Sequence, residues 1–238
     1  MGTGAARKPA AGASGAPWQA EERAVLETLD SPAAIQAFLD SIPYSTDPIY
    51  RSPRSVLRDR KAHCFDGAVF AAAALRRLGQ PARLLDLRAV RDDDHVIALF
   101  TRHRHCGAIA KSNYVTMRYR EPVYRTLREL ALSFFDFYFN LDGEKSMRSY
   151  SRPLDLRTCD ALAWEVEDAA METIVRRLDA APHTALLTAE MERDLAPADE
   201  RSFRAALLGA DPAGLYKPPG FQGPAYGSEP PGPSDSSR

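Results

Sequence analysis

The segment from Lys61 to Pro81 constrains this chain more than any other. A short polar cluster, Lys61-Ala62-His63-Cys64-Phe65-Asp66-Gly67, runs directly into Ala68-Val69-Phe70-Ala71-Ala72-Ala73-Ala74-Leu75, and Arg76-Arg77-Leu78-Gly79-Gln80-Pro81 ends it. An alanine-rich apolar run of this length reads as one buried helix, stopped by Gly79 and Pro81. Cys64 then sits in the first turn. Unpaired backbone N–H groups and the positive end of the helix dipole meet there, and both favour thiolate over thiol. Arg60, Lys61 and His63 would push the same way, so the expectation is a cysteine of lowered pKa, the nucleophilic kind. A buried cysteine is more often an inert small hydrophobe. Partners elsewhere in the sequence have to decide.

Upstream, Trp18, Val25, Leu26 and Leu29 fall at helical spacing, and Ser31-Pro32 caps a second helix that carries Ile35, Phe38, Leu39 and Ile42 on one face. Prolines 43, 48 and 53 mark an irregular stretch leading to a short helix from Pro53 to Arg60. Downstream, 83–90 reads as a strand, Arg91-Asp92-Asp93-Asp94 as a turn, His95 to Thr101 as a second strand, Arg102 to His105 as its reversal, and Gly107 to Tyr114 as a third strand. A helix followed by an antiparallel meander is an α+β pattern. Glu121-Pro122 is expected to open a helix through Phe135, Met147 to Leu156 to be extended, and Cys159 to about Leu208 to be helical.

Composition limits the function classes. Thirty-one basic and 32 acidic residues leave a net charge of −1, so no global field recruits nucleic acid. No apolar run approaches the roughly 20 residues of a membrane span. The first residues lack the apolar core of a secretory signal, and three cysteines with no pairing pattern favour a reducing, cytoplasmic setting. Residues 1–17 and the Pro/Gly/Ser-rich 211–238 are expected to be disordered tails around one domain, 18–210.

Cysteine catalysis needs an imidazole to take the thiol proton and a third group to fix the imidazole. His95, at the head of a strand after an acidic turn, can return beside the helix start. With the reversal centred between Arg104 and His105, His95 faces Tyr114, and a one-residue bulge shifts the partner to Asn113. Ser112, Asn113 and Tyr114 are in reach, and Asn113 is the usual chemical choice. The thiol is then expected within direct or water-bridged reach of the His95 ring. The rival clusters carry less. His103, His105 and Cys106 match no standard zinc spacing, so no metal or other cofactor is expected. The arginines 118, 120, 125, 128, 148 and 152 could hold an anion but read better as structural partners of nearby acids.

The helix beginning His63-Cys64-Phe65-Asp66-Gly67-Ala68, the strand beginning His95-Val96 and the polar residues on the next strand resemble the transglutaminase-like superfamily. Lys111 to Tyr114, Tyr119 to Tyr124 and Ser146 to Ser151 look like a group of bacterial members. The resemblance implies a papain-like core with the Cys-bearing helix on an antiparallel sheet, extra C-terminal helices, Cys64 as nucleophile and His95 as base. It implies peptidase, amidase or acyl-transfer chemistry on a peptide or protein amide. One departure stands out: Ser112 or Asn113 falls where the superfamily carries an aspartate. That supports the alternative, a catalytically silent fold that binds protein or peptide.

Overall fold

The computed structural model of the chain describes residues 18–217 and 220–221. Four helices precede the sheet: α1 (Ala20–Thr28), α2 (Pro32–Ser41), α3 (Pro53–Asp59) and α4 (Cys64–Arg77). Ser31 and Ser52 accept hydrogen bonds from Ala34 and Ser55 N–H, and each is followed by a proline at the first helical position. Strands β1 (Arg83–Ala89), β2 (His95–Arg102), β3 (His105–Ile109) and β4 (Arg120–Tyr124) form a meander. After α5 (Leu127–Phe135) come β5 (Met147–Ser151), β6 (Leu154–Asp155), α6 (Met171–Asp179), β7 (His183–Ala185), α7 (Ala189–Arg193) and α8 (Glu200–Ala206). The antiparallel sheet runs β4-β3-β2-β1-β5-β7, with β6 paired to β1. This is the α+β architecture expected, a helix bearing Cys64 at its start lying on an antiparallel sheet.

Strand alternation divides the core between the two faces of the sheet. Leu84, Val96, Ala98 and Phe100 pack under α4, whose residues from Phe65 to Leu75 are all buried. Leu85, Leu87, Ile97 and Leu99 face the other way, onto Leu130, Ala131 and Phe134 of α5. A third cluster gathers Phe139, Leu141, Phe203 and Ala206, with Leu215 and Phe221 packed against it.

Three local expectations change. Residues 120–124 form a strand rather than the opening of a helix; Pro122 is tolerated because β4 is an edge strand, and α5 starts instead behind the Thr126 cap. The expected helical region 159–208 is broken into a 3-10 turn, α6, β7, α7 and α8. Residues 211–217, read as tail, continue the packed structure with a 3-10 turn at Pro212–Gly214. The expectations for residues 1–17 and 222–238 lie outside the described residues. Among the described residues, no helix is long and apolar enough to cross a membrane.

Gly67 and Lys111 join the helical layer to the end of the meander. Lys111 Nζ donates to the carbonyls of Leu39 and Ile42, satisfying the C-terminal end of α2. Its side-chain stem crosses α4 so closely that a Cβ on Gly67 would overlap Lys111 Cβ. In an unconstrained helix Gly→Ala gains roughly 0.5–1 kcal/mol. Here Gly67→Ala should instead lose about 1–3 kcal/mol to overpacking, read as a lowered urea midpoint at unchanged slope; a raised midpoint would show that the two segments separate easily.

Candidate active site

Cys64 occupies the first position of α4 because the residues around it build a rigid helix start. His63 is the N-cap: its Nδ1 accepts from Asp66 N–H at 3.4 Å, and the Asp66 carboxylate accepts from His63 N–H at 3.4 Å. Asp66 is 0% exposed, and Arg51, 2% exposed, supports it with a backbone N–H at 2.8 Å and a guanidinium nitrogen 3.7 Å away. The same guanidinium reaches Ser45, Asp47 and Asp59. Tyr44 forms a parallel bridge with Ala62, and Ser45 N–H donates to the Ala62 carbonyl, fixing the approach to the helix.

The charges around the thiol differ from those expected. Arg60 turns away with φ 54° and lies over the Phe38 ring, 4.7 Å from its centroid. Lys61 pairs with Asp47. Burial and the Arg51 charge hold His63 near a pKa of about 4, so it is neutral. The thiol itself is pushed up to about 12, first by burial and further by Asp93 and Asp66, with Val96 and Phe65 N–H only partly offsetting this. Its sulfur reaches the Asp94 carbonyl at 3.8 Å. The helix start is present as expected, but burial and the nearby acids raise the thiol rather than lower it.

His95 opens β2 and is buried, its ring edge-on to Phe134 and Tyr138 at 6.2 and 6.4 Å. Strand parity turns it with Ile97 toward α5, while Cys64 belongs to the helix on the opposite face. The two residues meet at the end of the sheet, lining one small cavity of about 50 Å³ with Tyr44, Ser112, Asn113 and Tyr138. No direct thiol–imidazole hydrogen bond is formed, so the expected direct reach is not observed: the sulfur faces the Asp94 carbonyl and the His95 ring faces Met117 and α5. His95 Nε2 lies 2.9 Å from the Met117 carbonyl. A carbonyl can only accept, so Nε2 carries the hydrogen and Nδ1 is left unprotonated. Burial, with a contribution from Arg120, lowers the imidazole to about 4.

Neither Asn113 nor Ser112 is hydrogen-bonded to His95 in this structure. Asn113 Nδ2 donates to the Asp211 carbonyl at 2.8 Å, and its Oδ1 accepts from Asp211 N–H at 2.8 Å. Ser112 Oγ accepts from Tyr114 N–H. The reversal explains the difference: Arg102 pairs with His105 through a two-residue turn in which His103 and Arg104 both have positive φ, 50° and 63°. This is the primed-turn geometry normally signalled by Asn-Gly. Pairing then stops at Ala98 with Ile109. Residues 110–113 leave the sheet, and the Gln36 side chain takes over both the N–H and the carbonyl of Ala110.

Sequence reasoning missed Met117 and the side chain that holds it. Arg120 donates to the carbonyls of Thr116, Tyr119 and Ser133 and to Ser133 Oγ, and stacks over Phe134 with 3.9 Å to the centroid. It pins the Val115–Met117 turn that brings the carbonyl to His95. Of the other arginines in this stretch, Arg118 pairs with Asp40, Arg148 with Glu144 and Glu192, and Arg128 donates to the Leu186 carbonyl. His105 Nδ1 faces the His103 carbonyl, and among the described residues no three His, Cys, Asp or Glu side chains are arranged to hold a metal.

A second cavity of about 390 Å³ opens on the other side of Cys64, between Tyr50 and His63, the acids Asp86, Asp93 and Asp94, and Val175 and Leu178 of α6. Residues 213–216 line it, and Gly214 and Tyr216 also line the smaller cavity.

No curated protein matches the chain. Among solved structures it is similar to Legionella pneumophila LapG, at 14% identity over 63% of this chain and 84% of that one, with a TM-score of 0.37. The EGTA-treated form gives the same values. Against the calcium-bound form, identity is 17% over 41% of this chain and 63% of that one, with a TM-score of 0.32. The sequence model for the transglutaminase-like superfamily core matches residues 22–106, the stretch that holds both Cys64 and His95. Through that segment, rather less than half of its length, the chain is similar to the transglutaminase-like superfamily.

Proposed function

We propose that this protein carries out cysteine-dependent acyl chemistry on peptide or protein amides, with Cys64 as nucleophile and His95 as general base. The observation that carries the reading is the division of labour on the imidazole. With Nε2–H spent on Met117, Nδ1 remains as a lone-pair nitrogen in a ring that shares a cavity with the thiol. Burial favours the neutral form of both groups. The proton therefore leaves sulfur as it attacks: the S–C bond forms, the carbonyl π pair moves to oxygen, and His95 takes the proton and returns it to the departing amine. Water or a second amine then attacks the thioester. Hydrolysis is the simpler outcome, since no second amine site is needed. All three cysteines are free thiols, which supports a reducing, cytoplasmic setting.

The test is alkylation by iodoacetamide at neutral pH with the modified cysteine mapped. Although burial holds Cys64 as a thiol at rest, His95 can take the proton during attack, so Cys64 should react ahead of Cys106 and Cys159, and His95→Gln should abolish its lead. Equal, slow labelling of all three would support a peptide-binding module instead. That second reading draws on one specific observation: the acceptor behind His95 is an uncharged carbonyl where the superfamily carries a carboxylate.

A further inference from the structure

We propose that residues 211–217 occupy, in cis, a peptide-binding groove beside Cys64, and that Asn113 is the side chain that reads the backbone of whatever lies in it. The inference rests on the reading that the Cys64 cleft is the functional site. Asn113 offers its amide N–H and carbonyl to the carbonyl and N–H of a single residue, Asp211, both at 2.8 Å. This is how a neighbouring strand would pair. Such a contact ignores the side chain of its partner and suits any peptide with an extended residue there; Asp211 has φ −77° and ψ 116°.

The next positions do discriminate. Gly214 sits so close to the pocket wall that a Cβ would lie 2.9 Å from the Tyr44 ring and 3.0 Å from Asn113 Nδ2. Leu215 is extended again, at φ −93° and ψ 129°, and reaches the Phe139–Phe203 cluster. Tyr216 follows along both cavities at Cys64. The ligand class is therefore a peptide with a backbone-read residue, a glycine against Tyr44, then an apolar and an aromatic residue. With the segment in place, the space shared by Cys64 and His95 is about 50 Å³, and Gly214 and Tyr216 form part of its wall. Residues 213–216 line both cavities at Cys64, so a peptide that takes this path past the thiol must displace them.

The experiment uses the full chain and an acetylated, fluorescent peptide with the sequence of residues 210–217. Leu215→Asp removes the apolar anchor of the segment, and Gly214→Val drives a side chain into Tyr44; each should free the groove. If the open state is about 1–10% populated in the wild type, each variant should bind the peptide about ten to a hundred times more tightly than wild type. Added Asn113→Ala should remove most of that gain, and the peptide should slow Cys64 alkylation in the opened variants but not in wild type. The proposal is overturned if both variants keep the native circular dichroism and bind no better than wild type. Loss of the fold in both would make 211–217 a fixed part of the domain and would overturn it equally. Tight peptide binding without His95-dependent alkylation of Cys64 would remove the catalytic reading and leave the groove standing.

Discussion

His95→Gln should lower Cys64-dependent release of p-nitrophenol from p-nitrophenyl acetate by about two to four orders of magnitude, the usual worth of a positioned general base. The glutamine amide can still donate to the Met117 carbonyl that now holds Nε2 at 2.9 Å, so the surroundings keep their hydrogen bond while the base is lost. Cys64→Ala sets the background. The pH dependence separates this mechanism from one that rests as a thiolate–imidazolium pair. His95 is held near 4 by burial, so its base form persists well into acid, and the wild-type rate should stay level from neutrality to about pH 5 and fall only as the ring protonates near 4. If His95→Gln retains the wild-type rate, the imidazole is not the base.

Arg51→Met should destabilise the protein by about 3–5 kcal/mol, the cost of stranding one member of a buried pair. Arg51 is 2% exposed and Asp66 0% exposed, and among the described residues the guanidinium is the cation nearest that carboxylate. Burial already raises Asp66 to about 7 against the opposing pull of Arg51. Removing the guanidinium raises it further. A carboxyl whose folded pKa lies above its unfolded value contributes stability at low pH and loses it as pH rises through the folded pKa. The deficit of the variant should therefore be largest above neutrality and shrink as pH falls toward 4, where Asp66 is neutral in either chain. Urea titrations of both chains at pH 8 and pH 5 measure it. A deficit that is constant with pH would assign the loss to packing of the arginine stem.

Much of this arrangement was legible before any coordinates. The alanine run fixed α4 because nothing else accommodates so many small apolar residues in one stretch, and Ser31-Pro32 and Ser52-Pro53 set the starts of α2 and α3 by cap chemistry. Cys64 and His95 follow from their places at the heads of two elements. Asn113 could not be assigned by counting, since the count depends on turn geometry and His103-Arg104 carries none of the Gly or Asn that announces a primed turn. Met117 was invisible for another reason. A backbone carbonyl has no letter in the sequence, and only the Arg120 contacts reveal which one is presented. The raised thiol was not legible because a helix start can be read from position, whereas burial and the charge of Asp93, brought in by a loop, depend on the folded arrangement.

The sheet order also has a kinetic meaning. Strands β1 to β4 pair as sequence neighbours, and α4 lies directly before them, so Cys64 and His95 are brought together by contacts that are short in sequence. Loop closure for such contacts is cheap, and structures rich in them form early. The Asn113–Asp211 contact, by contrast, spans 98 positions. During synthesis the segments that carry Cys64 and His95 leave the ribosome long before residues 211–217, and the thiol of the growing chain passes through an interval in which one wall of its cleft is still missing.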